Sequence, residues 1–351
     1  MKKRNVSGVL MVMLLLIVCL SVPGSVCSQE KAIELSFSNF LPAEYHITKA
    51  LMEWSQEIEK RAGRKVKITM HHSGTLTSAT ANYEGVIRGL SDIGHSCLAY
   101  TRGRFPLMEV VDLPGYPFNA IITSRVAHDV YKKFKPKELE DTHVLFIHAH
   151  IPGGIYTRAK PAKTLEDLKG QRIRCTGLSA NIIKALGGTP VAMPKGDQYE
   201  ALQRGLVDGT VGPPNEVKGY RVAEVAKYLT MYPHAGYVTA MYVVMNLKKW
   251  NSLPPDVQKI FTEVSEKWVE HTGKAWNEGE IEGIKMGKQV GLNFIFLPAN
   301  EAARWDKALQ PLFEDYLKSM QGKGLSGKEV LDYRNTLINQ YGKIYPPLKF
   351  D

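Results

Sequence analysis

The sequence predicts an α/β protein of two similar lobes, each a mostly parallel sheet flanked by helices, with a ligand cleft between them and a long helix spanning both. Three observations predict it. The chain has 351 residues, more than one ordinary domain holds. Apolar runs of strand length alternate with amphipathic helical segments, which is the pattern of parallel sheets covered on both faces. A short motif also occurs twice at identical spacing. Tyr83-Glu84 is followed after three residues by Arg88-Gly89-Leu90-Ser91-Asp92, and Tyr199-Glu200 after three residues by Arg204-Gly205-Leu206-Val207-Asp208. Each copy reads as a helix, a glycine that ends it, and a short buried strand. Hydrophobic residues are 44% and charged residues 23%, which excludes a disordered chain, a collagen and a polytopic membrane protein.

The first element reads as an export signal, residues 1–27. Lys2, Lys3 and Arg4 precede an apolar run from Val9 to Val22 broken only by Ser21; Pro23-Gly24 end it, and Ser25-Val26-Cys27-Ser28 offers small residues for cleavage near Cys27 or Ser28. The run is shorter than the roughly 20 residues a membrane span needs. Val26 stands where a lipoprotein signal has Gly or Ala, so plain cleavage is expected. The mature protein is expected to be exported and soluble. Of its remaining cysteines, Cys97 and Cys175 fall in different lobes and are expected to be free thiols.

The first lobe is assigned to residues 28–151 plus about 240–279. It opens with a strand (Ile33 to Phe37), then a helix whose Ile47, Leu51, Trp54 and Ile58 share one face, then a strand (Val66 to Met70) and the first motif copy. The second lobe is assigned to 152–239 plus about 280–310. Its strand (Ile173 to Cys175), helix (Ser179 to Leu186) and strand (Pro190 to Met193) precede the second copy. Val238 to Met245 is a nearly continuous apolar strand. Pro254-Pro255 opens the long helix, which runs to about Gly287 with Val257, Ile260, Phe261, Val264 and Trp268 on one face. A strand (Asn293 to Leu297) follows, and residues from about 311 to 351 are expected to be helices packing on the lobes.

No motif for catalysis stands out: there is no Gly-x-Gly-x-x-Gly after a strand, P-loop, Gly-x-Ser-x-Gly or His-Glu-x-x-His. His71-His72 point to opposite faces of a strand. His148 and His150 share a face, but no third metal ligand accompanies them. Asp92 and Asp208 occupy matched positions, which assigns each the same structural part in its own lobe. The net charge is +10, spread along the chain without a basic, aromatic-interleaved run, so the expected partner is a small anion and no nucleic acid. One segment suggests how an anion is held. Alternation puts Arg172 and Arg174 on one face of a strand opposite Ile173. A parallel strand in a covered sheet should be apolar, and ligands of such sheets bind at the strands' carboxyl ends. Arg there grips a carboxylate bidentately; the plainer reading is a surface Arg beside Asp167.

Several runs, in order, resemble the extracytoplasmic solute receptors of tripartite ATP-independent periplasmic (TRAP) transporters, the DctP-type family. They are Phe40-Leu41-Pro42 with Tyr45-His46, Ser73-Gly74-Thr75-Leu76, Arg88 to Gly94, Asp112-Leu113-Pro114, Thr164 to Gly170 leading into Ile173-Arg174, Gly188-Thr189-Pro190-Val191, Ala201 to Gly209, and Leu253-Pro254-Pro255. The resemblance runs from about residue 32 to about 320. It implies the periplasmic binding protein-like fold, a periplasmic location, a small organic acid bound between closing lobes, and delivery to the TRAP membrane permease subunits. No catalysis, no cofactor and no metal are expected of the chain, and a monomer is. By the same resemblance Arg174 grips the ligand carboxylate. Phe40, Tyr100 and Tyr237 are placed to stack on the ligand or to pack in the core, His150 to donate to it where the chain crosses between lobes, and Asn215 to face the cleft.

Two departures narrow the ligand. Many members of the family carry a second ligand-binding Arg about twenty residues before the first, where this chain has Gly153-Gly154. After Val207-Asp208-Gly209 a Gln-Glu-Asn-Pro-like run is common, and this chain has Thr210-Val211-Gly212-Pro213, with Asn215 or Glu216 as the nearby polar replacements. One acid group, carboxylate or sulfonate, on a less polar body is the expectation. A sensor that presents the ligand to a membrane receptor leaves the same sequence. A secreted two-lobed enzyme is the competing class, and it lacks a nucleophile–base pair or metal cluster.

Overall fold

The computed structural model describes residues 32–63, 65–232 and 236–350; the expected signal segment lies outside them. Two sheets form the frame. The first contains β1 (Ile33–Asn39), β2 (Val66–His71), β3 (Ile93–Cys97), β4 (Thr142–Ala149) and β10 (Ala240–Asn246), in the order β2-β1-β3-β10-β4. The second contains β5 (Gly154–Thr157), β6 (Arg172–Cys175), β7 (Thr189–Ala192), β8 (Gly209–Gly212), β9 (Tyr228–Met231) and β11 (Asn293–Phe296), in the order β11-β9-β5-β8-β6-β7. Each sheet is parallel except for one strand: β10 in the first, β5 in the second. Both exceptions are the strands on which the chain arrives from the other lobe. The two crossings meet at residue 153, where the Gly153 N–H donates to the Tyr237 carbonyl at 2.8 Å in an antiparallel bridge. A Cβ at Gly153 would overlap the Tyr237 ring, so the approach requires glycine.

The helices are α1 (His46–Ala62), α2 (Asn82–Ile87), α3 (Ala120–Phe134), α4 (Leu165–Leu168), α5 (Ser179–Ala185), α6 (Gln198–Gln203), α7 (Glu216–Gly219), α8 (Leu247–Ser252), α9 (Pro255–Gln289), α10 (Ala299–Gly322) and α11 (Gly327–Gly342). On α1, Ile47, Leu51, Trp54 and Ile58 are all fully buried, as their spacing predicts. The repeated motif is one structure made twice. Helices α2 and α6 both end in Schellman turns, with Gly89 at φ 74 and Gly205 at φ 71, and Leu90 and Leu206 donating back to Gly85 and Ala201 at 2.8 and 2.9 Å. The matched acids then bolt neighbouring strands together. Asp92 Oδ2 accepts from the Ser36 N–H of β1 at 2.8 Å, and Asp208 Oδ2 from the Arg172 N–H of β6 at 2.9 Å.

Helix α9 has 35 residues, about 52 Å at 1.5 Å per residue, and starts with Pro255 in its first turn. It packs on α1, α3 and β4 of the first lobe and on α7 and β11 of the second, so it spans both. The expected boundary near residue 311 falls inside α10, which continues through Pro311. That proline is on the exposed side, where water can take the carbonyl its ring leaves unpaired. The buried apolar residues form two layers, each continuous through both lobes. One joins Tyr83 and Val144 to Ile173 and Trp305; the other joins Phe37 and Trp54 to Leu229 and Trp276.

Candidate functional site

The carboxyl ends of the parallel strands in both sheets converge on one cavity of about 430 Å³, its mouth included. Phe40 and Leu41 follow β1, Cys97 ends β3 and Tyr100 lies just beyond, and His150 follows β4. From the second lobe come Arg174 and Thr176 at the end of β6, Lys195 beyond β7, and Pro213 and Glu216 beyond β8. Tyr237 and Thr239 of the crossing, Tyr45, Tyr220, Met241 and Trp276 of α9 complete the wall.

Arg174 is 1% exposed. Its Nε and Nη2 donate to the Met193 carbonyl at 3.0 and 2.7 Å, which fixes the guanidinium plane at the end of β7. No carboxylate stands within ion-pair distance of it among the described residues. A buried cation without a counter-ion is costly, and an anion entering the cavity would relieve that cost. The plainer reading fits Arg172, which is exposed, but with another partner: it pairs with Asp208 at 2.9 Å, while Asp167 is engaged in a capping box with Thr164 at the start of α4.

A second cation faces the same space. Lys195 Nζ stands 2.5 Å from Glu216 Oε1 and donates to the Val211 carbonyl at 2.9 Å. Burial pulls its pKa down to about 8, with Glu216 opposing the shift and Arg174 adding to it. Glu216 is itself 1% exposed and also accepts from Gln198 Nε2 at 3.1 Å.

Of the residues named from sequence, Arg174, Phe40, Tyr100, His150 and Tyr237 line the cavity together. Phe40 packs edge-on against Tyr100, with ring centroids 5.8 Å apart, and Tyr237 edge-on against His150 at 4.9 Å. The role expected of His150 changes. Its Nδ1 is spent on the Ile151 carbonyl at 2.5 Å, and burial holds its pKa down to about 4. The neutral ring therefore offers Nε2 as an acceptor and has no proton left to donate to a ligand carboxylate. Asn215 is corrected as well. It lies behind the wall, where its Oδ1 accepts from the Tyr45 hydroxyl, its N–H donates to Glu280 Oε2 at 2.8 Å and its amide to Glu280 Oε1. It supports Tyr45, and Tyr45 lines the cavity.

Beneath the cavity a polar chain crosses the first lobe. Trp276 Nε1 donates to His148 Nδ1 at 3.0 Å, His148 Nε2 meets His95 Nε2 at 3.0 Å, and His95 Nδ1 meets Asn39 Oδ1 at 2.8 Å. Only one set of neutral tautomers satisfies it, with protons on His148 Nε2 and His95 Nδ1. Burial pushes the His148 pKa down to about 3 and that of His95 well below its usual value. Both ring nitrogens of His148 are engaged, so the His148–His150 spacing has a packing explanation.

Lys195, Tyr45, Tyr220 and Trp276 were not found from sequence. The strand carboxyl-end rule was the available signal for Lys195; Trp276 sits far along α9, where nothing local marks it.

A two-lobed α/β frame whose strand ends converge on a small cationic cavity is the architecture of a solute-binding protein. The chain belongs to the family "Bacterial extracellular solute-binding protein, family 7" (DctP), which matches residues 37–319. It is similar to a crystallised TRAP periplasmic solute-binding protein of Desulfovibrio salexigens, 33% identical, covering 91% of this chain and 99% of that one with a TM-score of 0.79. It is also similar to a TRAP solute-binding protein of Rhodoferax ferrireducens in complex with copurified benzoate, 26% identical, covering 89% and 99% with a TM-score of 0.85. A curated relative, the C4-dicarboxylate-binding periplasmic protein DctP of Rhodobacter capsulatus, is 25% identical over 324 residues, 90% of this chain and 94% of that protein. The expected family and fold class are thus found.

Proposed function

We propose that this chain is the periplasmic receptor of a TRAP transporter, capturing a small monocarboxylate with an aromatic or otherwise apolar body and handing it to the membrane permease. The observation that carries the reading is Arg174, a buried guanidinium facing the cavity with no protein carboxylate beside it. The rest of the wall supports the apolar body: Phe40, Tyr45, Tyr100, Tyr220, Tyr237 and Trp276 supply rings around that single charge. The benzoate found with the Rhodoferax protein supports the same class. On this reading Arg174, Phe40, Tyr100, Tyr237 and His150 touch the ligand, Asn215 acts through Tyr45, and the ligand leaves chemically unchanged. The signal segment is removed near Cys27 or Ser28, and the mature chain works as a monomer.

The test is a thermal-shift screen of the mature protein against small carboxylates and sulfonates, followed by calorimetry on the hits. A ligand that binds only the folded state raises the midpoint by mass action. The expected result is a monocarboxylate hit that is lost in Arg174→Ala while the circular dichroism spectrum stays native. Affinity within about threefold of the parent, under ~1 kcal/mol, would remove Arg174 from the site. A hit consumed without the permease would replace the receptor reading with the enzyme one.

A further inference from the structure

The cavity holds two cations and one acid, and the acid sits where it does because of a missing side chain. A Cβ at Gly212 would overlap the Glu216 carboxylate, so the glycine opens the space that this carboxylate occupies. From there Glu216 reaches Lys195 Nζ at 2.5 Å. Gln198 locks the pair from behind. Its Nε2 donates to Glu216 Oε2 at 3.1 Å, while its Oε1 accepts from Lys195 Nζ at 3.2 Å and from Thr210 Oγ1 at 3.0 Å.

The other titratable groups on the wall are neutral. Burial raises the hydroxyl pKa values of Tyr45, Tyr100, Tyr220 and Tyr237, and pushes the Cys97 thiol up to about 12. His150 is neutral, and Glu280, behind Asn215, is held up to about 8 by burial. With Lys195 and Glu216 cancelling, Arg174 is the one uncompensated charge. Resting on the reading of this cleft as a carboxylate site, we propose that Glu216 is a charge-selectivity residue: by neutralising Lys195 it restricts the site to ligands carrying a single carboxylate. A second carboxylate would enter a space walled largely by aromatic rings, in which the remaining cation already has a partner, and would be buried unpaired. The family includes a C4-dicarboxylate-binding member, so the frame itself does not impose that restriction.

The experiment compares acids that differ by one carboxylate, benzoate against isophthalate and butyrate against succinate, by calorimetry on the parent protein and on Glu216→Gln. The parent is expected to favour the monocarboxylate of the pair it binds by roughly a hundredfold. Glu216→Gln is expected to narrow that ratio at least tenfold through tighter binding of the dicarboxylate. Its binding heat is expected to vary with the ionisation enthalpy of the buffer as Lys195 takes up a proton. The double variant Lys195→Met/Glu216→Gln, which removes both charges together, is expected to restore the parent's ratio. A shape effect of the Gln side chain would persist in it.

A parent that prefers the dicarboxylate, or a Glu216→Gln ratio within threefold of the parent's, overturns this inference and leaves the carboxylate receptor standing. If Glu216→Gln does not fold, the double variant decides: a ratio narrowed tenfold or more there refutes the charge argument, and the parent's ratio supports it. Binding of none of the four acids at about 1 mM overturns the carboxylate reading and this inference with it.

Discussion

Lowering the pH below 6.5 is expected to destabilise the fold steeply, and the buried histidines set the slope. His46 and His148 are held down to about 3 and His143 and His150 to about 4, in each case first by burial, and His95 is lowered well below its usual value. An unfolded chain protonates all five near 6.5. Depressed folded values mean that the unfolded state binds more protons between 6.5 and about 3, so stability is full above that window and falls as pH drops through it. At pH 5 the four held at about 3 and 4 give the unfolded state about 3.7 extra protons, and His95 acts in the same direction. Four acids oppose them. Burial raises Glu280 to about 8, Asp112 well above its usual value, and Glu109 and Glu138 above theirs, so each holds its proton more tightly in the folded state. Glu280 set against those four histidines leaves a net difference of about three protons, a slope of about 4 kcal/mol per pH unit at pH 5. Glu280 pulls the other way throughout pH 4.5 to 8, where the folded state keeps a proton that the unfolded state has lost; once the histidines have titrated, its contribution dominates until it levels off above 8, so the optimum is expected near pH 7. Urea unfolding followed by circular dichroism at half-unit pH steps from 4.5 to 8.5 measures the curve. A slope at pH 5 below about 1.4 kcal/mol per unit, which is one net proton, would refute the assignment of these histidines as buried and neutral.

Three further outcomes follow from particular contacts. Asp92→Ala and Asp208→Ala are expected to lower stability by similar amounts, about 1.5–3 kcal/mol each, because each removes a charged acceptor from a neighbouring strand's N–H; urea midpoints differing by more than the value of one such bond would end the equivalence of the two copies. Gly153→Ala is expected to weaken ligand binding more than tenfold, since its Cβ forces the two crossings apart at Tyr237; unchanged affinity with a native melting curve would show that the bridge is dispensable. Asn215→Ala is expected to reduce affinity several-fold without abolishing it, because it removes the Tyr45 hydroxyl's partner and leaves the wall in place; loss as complete as in Arg174→Ala would place Asn215 at the ligand after all.

The parts of this protein readable in sequence are those set by short-range periodicity. The buried stripe of α1, the 35-residue α9 and the paired Schellman turns each depend on residues a turn or two apart. Arg174 was readable for a related reason: a charge at the end of a strand covered on both faces has few purposes. The rest of the site depends on partners far along the chain. Nothing near Lys195 announces a buried ammonium, because its partner Glu216 arrives only after another helix and strand, and its position depends on the absent side chain of Gly212. Trp276 reads as one more apolar residue on a long helix until His148, distant in sequence on β4, accepts a hydrogen bond from its indole N–H. His150 and Asn215 were found as residues and misread in role, since a ring tautomer and an amide's direction are decided by which neighbour takes each proton.

The interleaving of the two sheets governs the order in which the chain can fold. β10 fills the gap between β3 and β4, yet it is synthesised after β5 to β9 of the other sheet. Until residue 246 is available, β3 and β4 present bare edges to each other with no strand to join them, and such edges invite pairing with other chains. The first lobe therefore cannot mature ahead of the second, and a fragment ending before residue 240 would be an aggregation-prone half-sheet rather than an independent module. Closure depends on contacts between distant parts of the chain, which makes folding slow and concerted.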